Sequence, residues 1–390
     1  MTTIWLIALS GLTAVYAAAL AYLKRGLRGL GENQAQAKKL PTVTVIVSAR
    51  NEALHIGRLF ECLKAQDYPP ELLEFCIVDD RSEDSTFARI EAFARECPRV
   101  IPLRIHDTVP HLAPKKRAID LAIRRSRGEV LLLTDADAQP GPQWVRRIAG
   151  LFGDDVAMVC AYAAYRPRAT RLQRLLALDF FSLAAVGAAG IGAGRALTCA
   201  GSNLAYRRKT YYAVGGFEKI AAVVSGDDDL FLHEVQRQRV GRILYLPDPA
   251  ATVDTSPPET LRQFFWQRVR FASKGRYYAR SFTAGLVAVY GLNLLLGGGS
   301  MLSLLLGDWM WLMVIGVLWI VKASAEYAFL SEAAEIFGET ALLKFFLPAA
   351  VLHPFYVIIF AALGQFLTFR WKGERFVRRL SSQKVADVAP

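Results

Sequence analysis

The feature that most constrains this fold is an uncharged run of twenty residues near the start of the chain, IWLIALSGLTAVYAAALAYL at 4–23. A helix rises about 1.5 Å per residue, so such a run covers roughly the 30 Å hydrocarbon core of a bilayer. We therefore expect a transmembrane anchor over residues 1–28. A cleaved signal peptide is the alternative, but no positive charge precedes the run. Basic residues follow it instead: Lys24, Arg25, Arg28, Lys38 and Lys39. By the positive-inside rule, the segment after the anchor should face the cytoplasm.

A second membrane region is expected at the other end of the chain, over residues 281–369. Its apolar blocks at about 284–306, 309–329 and 341–369 predict about three helices, with a stretch containing Glu332, Glu335 and Glu339 before the last. The tail at 370–390 is basic and should be cytoplasmic, yet three crossings would leave it outside. The third block is interrupted at His353-Pro354, so we expect it to be the broken or re-entrant one.

Between the membrane regions, residues 41–258 alternate short β-branched runs with amphipathic stretches, which is typical of βαβ units. The predicted strands are almost continuously apolar, as a sheet covered on both faces requires. They are 42–48, 74–80, 100–105, 129–135 and 156–162, with helices expected at 84–96 and 115–127. The fold class is therefore α/β, with a mostly parallel sheet flanked by transmembrane helices.

Composition limits the partners of the chain. It has 390 residues, 53% hydrophobic and 21% charged, with 47 basic and 35 acidic side chains and a net charge of +12. The positive charges cluster beside apolar runs, so membrane lipid headgroups explain them better than nucleic acid does. Five scattered cysteines, an odd number, indicate reduced thiols rather than a disulfide framework.

Acidic residues follow two of the predicted strands. Asp79 and Asp80 end the strand EFCIV, and Asp135 and Asp137 follow EVLLLT. In an open parallel sheet, ligands bind outside the carboxyl ends of the strands. Carboxylates spaced i, i+2 in an extended segment point the same way, and a hard divalent cation would relieve their repulsion. A Mg²⁺ or Mn²⁺ ion that bridges to a diphosphate fits this pattern, although such pairs also occur as helix caps.

Two further segments can carry chemistry. Asp227, Asp228 and Asp229 open a helical stretch, where one aspartate would suffice as a cap and three repel one another, which can raise the pKa of one of them toward that of a base. Residues 259–280 contain a basic and aromatic stretch, RQFFWQRVRF at 262–271. It predicts an interfacial helix whose arginines are also suited to a diphosphate.

In this order and spacing the segments resemble the membrane-bound branch of glycosyltransferase family 2, which includes cellulose, chitin and hyaluronan synthases and many lipid glycosyltransferases. The resemblance covers about 41–280. It rests on SARNE at 48–52, VDDRSEDST at 78–86, PKKRAID at 114–120, the D-x-D at 135–137, CAGSN at 199–203, GDDD at 226–229 and QRVRF at 267–271. The family has Gly and Asn at the ends of the PKKRAID segment and Trp at the end of the last motif, where this chain has Phe271.

The resemblance implies a GT-A-like, Rossmann-related fold and roles for individual residues. It implies that Asn51, Glu52, Asp79, Asp80, Lys115 and Asp135 bind the nucleotide-sugar donor, and that Asp135 and Asp137 bind the metal. The general base is Asp227 or Asp228, depending on the alignment. Gln267, Arg268 and Arg270 complete the catalytic set. The acceptor side is formed by Cys199, Gly201, Ser202, Asn203 and Phe271.

The activity so implied is an inverting, metal-dependent transfer of a hexosyl or N-acetylhexosaminyl group, with UDP as the carrier. It would take place on the cytoplasmic face of a bacterial-type inner membrane, with a lipid or glycan as acceptor. A processive polysaccharide synthase is the first alternative, but three apolar blocks are few for a translocation channel. A catalytically inactive nucleotide-binding partner of a glycan export complex is the second, and the intact acidic clusters argue against it. The segment at 171–191 is either a membrane-docking surface that admits a lipid or a buried core helix.

Overall fold

The structure is a computed structural model that describes residues 2–30, 37–107, 112–221, 223–371 and 374–376. Its helices are α1 Thr2–Arg28, α2 Ile56–Lys64, α3 Thr86–Glu96, α4 Pro114–Arg125, α5 Trp144–Ala149, α6 Arg171–Gly192, α7 Arg208–Ala213, α8 Asp229–Gln238, α9 Leu261–Ala272, α10 Arg280–Leu306, α11 Trp309–Phe337 and α12 Phe346–Phe366. Its strands are β1 Val43–Ala49, β2 Leu73–Asp80, β3 Val100–Ile105, β4 Val130–Asp135, β5 Gln139–Pro140, β6 Val156–Ala161, β7 Ala163–Tyr165, β8 Leu204–Arg207, β9 Arg242–Leu246, β10 Val253–Thr255, β11 Phe369–Trp371 and β12 Glu374–Phe376. Short 3₁₀ turns lie at Pro70–Leu72, Glu218–Ile220, Pro249–Ala251, Ser273–Tyr277 and Thr340–Phe345.

A seven-stranded sheet forms the centre of the α/β part, in the order β3-β2-β1-β4-β8-β6-β9. Strands β3, β2, β1 and β4 are parallel, whereas β8 runs antiparallel to both β4 and β6. This confirms the predicted mixed, mostly parallel sheet, and the five predicted strands agree with β1, β2, β3, β4 and β6 to within one residue at each end. A smaller sheet, β5-β10-β7, lies beside it.

The parallel register places the predicted acidic residues at one edge. In β1 and β2, Ala49 pairs with Asp79, and in β1 and β4, Ser48 pairs with Asp135. The carboxyl ends of β2, β1 and β4 therefore lie side by side, as ligand binding at such an edge requires. The strands behind this edge are buried on both faces, with β1 and β4 forming part of two apolar cores.

Helices α1 and α6 pack backbone to backbone. A Cβ added at Gly26 would lie 2.1 Å from the Ala189 carbonyl oxygen, and one at Gly192 would lie 2.0 Å from the Gly26 oxygen. One face of α6 is buried, with Phe181 in the α/β core, while Leu172 and Leu183 are exposed. Helix α6 thus combines the two interpretations of this segment, because it has one core face and one apolar outer face.

In the part of the chain that the structure describes, five helices are long and apolar enough to cross a membrane: Trp5–Arg28, Arg171–Gly192, Arg280–Leu306, Trp309–Phe337 and Thr340–Phe366. Helix α11 continues eight residues past the predicted block, to Phe337, because its acidic residues find partners. Glu332 pairs with Lys24 at 3.2 Å and with Arg28 at 2.6 Å. Just after the helix, the buried Glu339 accepts hydrogen bonds from Arg168 at 2.5 and 2.7 Å. The last turns of α11 are thereby fixed to α1 and to the α/β part.

Helix α12 contains Pro354 but is continuous from Phe346 to Phe366. The expected break at His353-Pro354 is therefore absent, and the proline leaves the helix intact apart from its own missing amide donor. The two ends of α12 adjoin the start of α6 and the end of α9. Arg174 lies over the ring of Phe345 at 5.9 Å, and the Gln365 amide donates to the Ala272 carbonyl oxygen at 2.9 Å. Most of the basic tail at 370–390 lies outside the described residues.

Candidate active site

One large cavity, of about 1470 Å³, brings most of the predicted site residues together. Its polar end is walled by the carboxyl edge of the sheet and by the start of α8, and its apolar end by α1, α6, α10, α11 and α12. Predicted residues that line it are Glu52, Asp80, Lys115, Asp135, Asp137, Cys199, Gly201, Ser202, Asp227, Asp228, Gln267, Arg268, Arg270 and Phe271. Asn51, Asp79 and Asn203 do not line it.

The loops after β1 and β2 brace each other at the polar end. Asn51 has a left-handed backbone (φ 52°), and its side-chain oxygen accepts the Glu83 amide at 2.9 Å. Its own amide donates to the Ser82 hydroxyl at 2.9 Å, and the Glu52 amide donates to Thr86 at 2.8 Å. The predicted donor residue Asn51 therefore positions the loop rather than facing the cavity.

The two aspartates that end β2 are both buried, but they differ in their partners. Asp80 lies 2.5 Å from Arg117 on α4 and 3.0 Å from Arg81. Asp79 lies 3.4 Å from Arg104 and accepts the Ser82 amide at 3.3 Å through Oδ2. Its other oxygen, Oδ1, has no hydrogen-bond partner in the described structure, but the Asp79 side chain is fully buried and does not line the cavity.

Lys115 links two of the acidic clusters. It begins α4, and its ammonium lies 2.7 Å from Asp135 Oδ1 and 3.3 Å from Asp227 Oδ2. Burial alone would lower the pKa of Lys115, but the neighbouring carboxylates, first Asp135 and then Asp227, outweigh burial and raise it. Lys115 is therefore a fixed positive charge between the D-x-D and the start of α8.

The three aspartates at 227–229 have separate environments. Gly226 precedes them with φ +90°, where a Cβ would lie 2.6 Å from Leu230, so the sharp turn into α8 requires glycine. Asp228 is the cap of α8, and its Oδ1 accepts the Asp229 amide at 2.7 Å. Asp229 is buried, and its pKa is raised by that burial. Asp227 contacts Lys115, and its Oδ2 makes no hydrogen bond in the described structure.

Lys274 and Tyr278, which sequence analysis missed, hold this cluster from the other side. The buried ammonium of Lys274 lies 2.7 Å from Asp229 and 3.5 Å from Asp228, and the Tyr278 hydroxyl donates to Asp229 at 2.6 Å. Burial would raise the pKa of Asp228, but the charge of Lys274, the hydrogen bonds with Asp229 and the charge of Lys115 together outweigh burial and lower it. No sequence signal separates Lys274 from the other basic residues of the interfacial segment.

The two arginines of α9 point to different places. Arg270 faces the acidic end: burial lowers its pKa, and the charges of Asp227, Asp228 and Asp135 oppose that shift. Arg268 is 1% exposed and lies 2.5 Å from Asp179 on α6, over the rings of Phe264 and Phe271. Its contacts thus fasten α9 to α6, which differs from the predicted catalytic role.

The remaining residues of that motif stand at the cavity wall. Gln267 accepts a hydrogen bond from the Tyr165 hydroxyl at 3.1 Å, which fixes its side chain. The ring of Phe271, in the position of the family's tryptophan, lies 5.2 Å from the Arg270 guanidinium and 5.6 Å from the Lys274 ammonium. These contacts order the aromatic ring beside the cationic groups of the site.

The acceptor-side segment divides in a similar way. A Cβ on Gly201 would lie 3.3 Å from Cβ of Asp228 and 3.4 Å from Asp227 Oδ2, so this backbone passes directly beside the acidic cluster. A hydrogen bond with Cys160, followed by burial, raises the pKa of the Cys199 thiol, which keeps it protonated. The carbonyl oxygen of Ser202 accepts a hydrogen bond from the Thr134 hydroxyl at 2.9 Å.

Asn203 is fully buried behind this segment and braces the core. It accepts from the Trp144 indole at 2.9 Å and donates to the carbonyl oxygens of Tyr162 and Ala251 at 2.7 and 2.8 Å. Its side chain therefore serves the packing of the two sheets, and the acceptor contact expected of it is not seen.

The D-x-D is suited to a divalent cation that also takes oxygen ligands from a bound diphosphate. Asp135 and Asp137 both line the cavity, and the Thr255 hydroxyl donates to Asp137 Oδ2 at 3.4 Å. Among the described residues, no three His, Cys, Asp or Glu side chains converge on one ion position. Two carboxylates fit Mg²⁺ or Mn²⁺ when a diphosphate supplies further oxygens.

Comparison with known proteins places the chain among glycosyltransferases. The profile of a family described as "Glycosyl transferase family 2" matches residues 44–215, and one described as "Glycosyl transferase family group 2" matches residues 130–331. The chain is 26% identical over 253 residues to a probable glycosyltransferase, YdaM, of Bacillus subtilis, covering 63% of this chain and 58% of that protein. It is 26% identical over 242 residues to a beta-monoglucosyldiacylglycerol synthase of Synechocystis, covering 60% and 48%. The chain thus spans about half the length of these curated relatives.

A solved mannosyltransferase from Pyrobaculum calidifontis, in complex with GDP-Man and Mn²⁺, has a similar fold. The TM-score is 0.53 at 22% sequence identity, over 89% of this chain and 98% of that one. The likeness confirms the expected GT-A-like fold.

Proposed function

Because the chain belongs to glycosyltransferase family 2, we propose that it transfers a sugar from a nucleotide-sugar donor to a hydroxyl group of a membrane lipid. The observation that carries the proposal is the single cavity that joins the acidic centre to the apolar helices. A soluble acceptor has no need of an apolar chamber, and a long glycan would meet walls of leucine, valine and phenylalanine where sugar hydroxyls need polar partners. The similarity to a beta-monoglucosyldiacylglycerol synthase supports a lipid acceptor.

The polar end of the cavity supports donor binding. Asp80 lines the cavity where a nucleoside can be held, and the buried Asp79 supports the adjoining loop through the amide of Ser82. Lys115 and Arg270 supply positive charge for the diphosphate beside Asp135. Asp137, with Asp135, would hold Mg²⁺ or Mn²⁺, and the ion would neutralise charge on the leaving diphosphate. UDP is the carrier to test first.

We assign the general base to Asp227. Asp228 is engaged in capping α8, and Lys274 keeps its pKa low, which weakens it as a proton acceptor. Asp229 is enclosed by Lys274 and Tyr278. Asp227 lines the cavity, and its carboxylate can accept the proton of the acceptor hydroxyl as that oxygen attacks the anomeric carbon. The attack is a single displacement with inversion, and Lys115 and Arg270 stabilise the charge that develops on the diphosphate.

The test compares Asp227→Asn with Asp228→Asn in detergent-purified protein. We expect Asp227→Asn to reduce nucleotide release in the presence of lipid acceptor at least ~10³-fold, because the proton acceptor is lost, while donor binding is kept. Asp228→Asn should retain more activity, since an amide oxygen can still cap the helix. Equal turnover of Asp227→Asn and the parent protein would refute the assignment. A reversed order of the two variants would move the base to Asp228.

The helix contacts also support a membrane topology. Helix α1 would be the anchor, and α10 and α11 a hairpin whose ends return to the α/β part, where Glu339 meets Arg168. Helix α12 begins beside Arg174 of α6 and ends beside Ala272 of α9, so we propose that it lies along the cytoplasmic interface with the amphipathic segment 259–280. The membrane is then crossed by α1, α10 and α11, so the α/β part and the basic tail lie together in the cytoplasm. This agrees with the positive charge that follows α1 and that of the tail.

A further inference from the structure

A cluster of ionisable side chains lies among the apolar helices that wall the cavity. It consists of Tyr16 on α1, Lys322 and Glu326 on α11, and His353 on α12. The Tyr16 hydroxyl and the Lys322 ammonium each donate to Glu326 Oε1 at 2.7 Å, and His353 Nδ1 lies 3.8 Å from the same oxygen. Tyr16, Glu326 and His353 line the cavity that reaches Asp227.

The cluster lies below the layer of ion pairs at the cytoplasmic end of the helices. That layer is marked by Glu332 with Lys24 and Arg28. Glu326 precedes Glu332 by six residues, about 9 Å along the helix, and Tyr16 precedes Lys24 by eight, about 12 Å. This is the depth at which interfacial helices such as the proposed α12 meet the boundary of headgroups and acyl chains. The oxygen atoms of a lipid that join its chains to its headgroup lie at that level.

Packing of the helices does not account for all four groups. Ionisable residues in an apolar region are costly and usually mark a functional site. Lys322 and Glu326 pair on one helix, and Tyr16 ties α1 to them, so these three are satisfied without His353. His353 lines the cavity with 35% of its side chain exposed, and its Nδ1, which is buried, has no hydrogen-bond partner in the described structure. The imidazole of His353 therefore stands at the cavity wall without being needed by the other three groups.

The charges of this part of the cavity favour an uncharged ligand. Lys322 is neutralised by Glu326 at 2.7 Å, and Arg268, which stands between this cluster and the acidic centre, is neutralised by Asp179 at 2.5 Å. A lipid phosphate would meet the two carboxylates along with the two cations and gain little net attraction. An ester oxygen can accept a hydrogen bond from the His353 ring, and a hydroxyl can either accept from His353 or donate to Glu326, in each case without a charge to balance.

We infer that the acceptor is an uncharged lipid with at least two oxygen functions. One is the hydroxyl that reaches Asp227, and the other is an ester oxygen that accepts from His353 or a second hydroxyl that can also donate to Glu326. The inference rests on the proposed transfer to a lipid and narrows it to a class. It makes His353 a residue that determines acceptor specificity and has no part in donor binding.

The test uses the full chain in nanodiscs, with one nucleotide sugar and three acceptor probes. Dioleoylglycerol has a hydroxyl and two ester groups, oleyl alcohol has a hydroxyl alone, and undecaprenyl phosphate is anionic. We expect dioleoylglycerol to be the best acceptor. His353→Ala should lower its kcat/KM about tenfold, the value of one hydrogen bond, with little change for oleyl alcohol and none in the KM of the donor. His353→Gln, which keeps a hydrogen-bonding group, should restore part of the loss.

Val351→Ala is the matched control, because Val351 is on the same helix, is 52% exposed and does not line the cavity. It should leave all three acceptors unchanged. Equal losses in Val351→Ala and His353→Ala, equal losses for both neutral probes, or transfer to undecaprenyl phosphate alone would overturn the inference. So would intact donor binding with transfer to none of the three lipids. Absence of metal-dependent donor binding would instead count against the proposed function.

Discussion

Replacement of Lys274 by methionine tests whether this residue holds the start of α8 in place. Its ammonium lies 2.7 Å from Asp229 and 3.5 Å from Asp228, and its side chain is 8% exposed. Removal of one partner from a buried ion pair costs about 3 to 5 kcal/mol. Because Tyr278 and the α8 amide still bind the two carboxylates, we expect the lower end, about 3 kcal/mol, or a fall of ~4 °C in the unfolding temperature of a chain of this length.

The effect should depend on pH with a definite sign. In the parent protein Lys274 keeps the pKa of Asp228 below its usual value, and this contribution to stability is present at neutral pH and is lost as the pH falls through the lowered pKa. Asp229 has a raised pKa through burial, and loss of Lys274 raises it further. The variant can therefore recover stability in acid by protonating Asp229, so the gap between the two proteins should be wide at pH 7.5 and narrow toward pH 4.5.

The measurement is thermal unfolding in detergent at several pH values, followed by intrinsic fluorescence. Lys219→Met is the control, because Lys219 pairs with Glu234 at the surface, where 56% of its side chain is exposed and an ion pair contributes about 0 to 1 kcal/mol. A gap between Lys274→Met and the parent that is the same at every pH, or no larger than that of Lys219→Met, would refute the reasoning.

Three further predictions concern other parts of the site and of the helix packing. Arg270→Ala should lower kcat/KM ~10²–10³-fold at unchanged unfolding temperature, because Arg270 faces the acidic centre. Arg268→Ala should mainly lower the unfolding temperature, because Arg268 pairs with Asp179. The reverse pattern in kinetics and thermal unfolding would contradict this assignment. Burial lowers the pKa of Lys116 to about 8, so between pH 8 and 10 the unfolded chain binds more protons than the folded one. The free energy of unfolding should therefore rise by up to ~3 kcal/mol over this pH range. Unfolding temperatures measured across the range should show this rise in the parent protein and not in Lys116→Met. Gly26→Ala should destabilise the protein by ~1–3 kcal/mol, since its Cβ would lie 2.1 Å from a carbonyl oxygen. Gly11→Ala on the same helix should be neutral, because a Cβ there would have nothing within 4 Å. Equal unfolding temperatures of the two variants would show that α1 and α6 separate easily.

The sheet could be predicted from the sequence because each strand is an apolar run bounded by polar residues. Four of these strands, β1, β2, β4 and β6, are buried over nearly their whole length, and β3 lies at the edge of the sheet. This burial explains why their sequences are apolar runs that can be found without the structure. The D-x-D and the acidic start of α8 could be found because they directly follow or precede such elements. The pairing of β8 between β4 and β6 could not, since β8 has only four residues and its position depends on contacts distant in sequence.

The different roles of neighbouring residues within one motif could not be predicted from the sequence either. Arg268 and Arg270 are two residues apart and chemically identical, but the helix turns one toward α6 and the other toward Asp227. A helical step of two residues rotates a side chain by about 200°, so both cannot face one site. Asn203 shows the same limit: its neighbours Gly201 and Ser202 line the cavity, while its own amide points into the core.

The placement of α12 shows why hydropathy alone left the topology unresolved. Hydropathy measures whether a helix is long and apolar enough to cross, and α12 satisfies both conditions. The direction of the helix is set by its ends, and these are held by Arg174 and Ala272, which belong to the start of α6 and the end of α9. Because α9 carries Arg270 and α12 carries His353, the same packing that keeps α12 beside the α/β part also fixes the distance between the acidic centre and the polar cluster. A lipid bound at both would have its reactive hydroxyl positioned by the helices rather than by loops, as precise transfer requires.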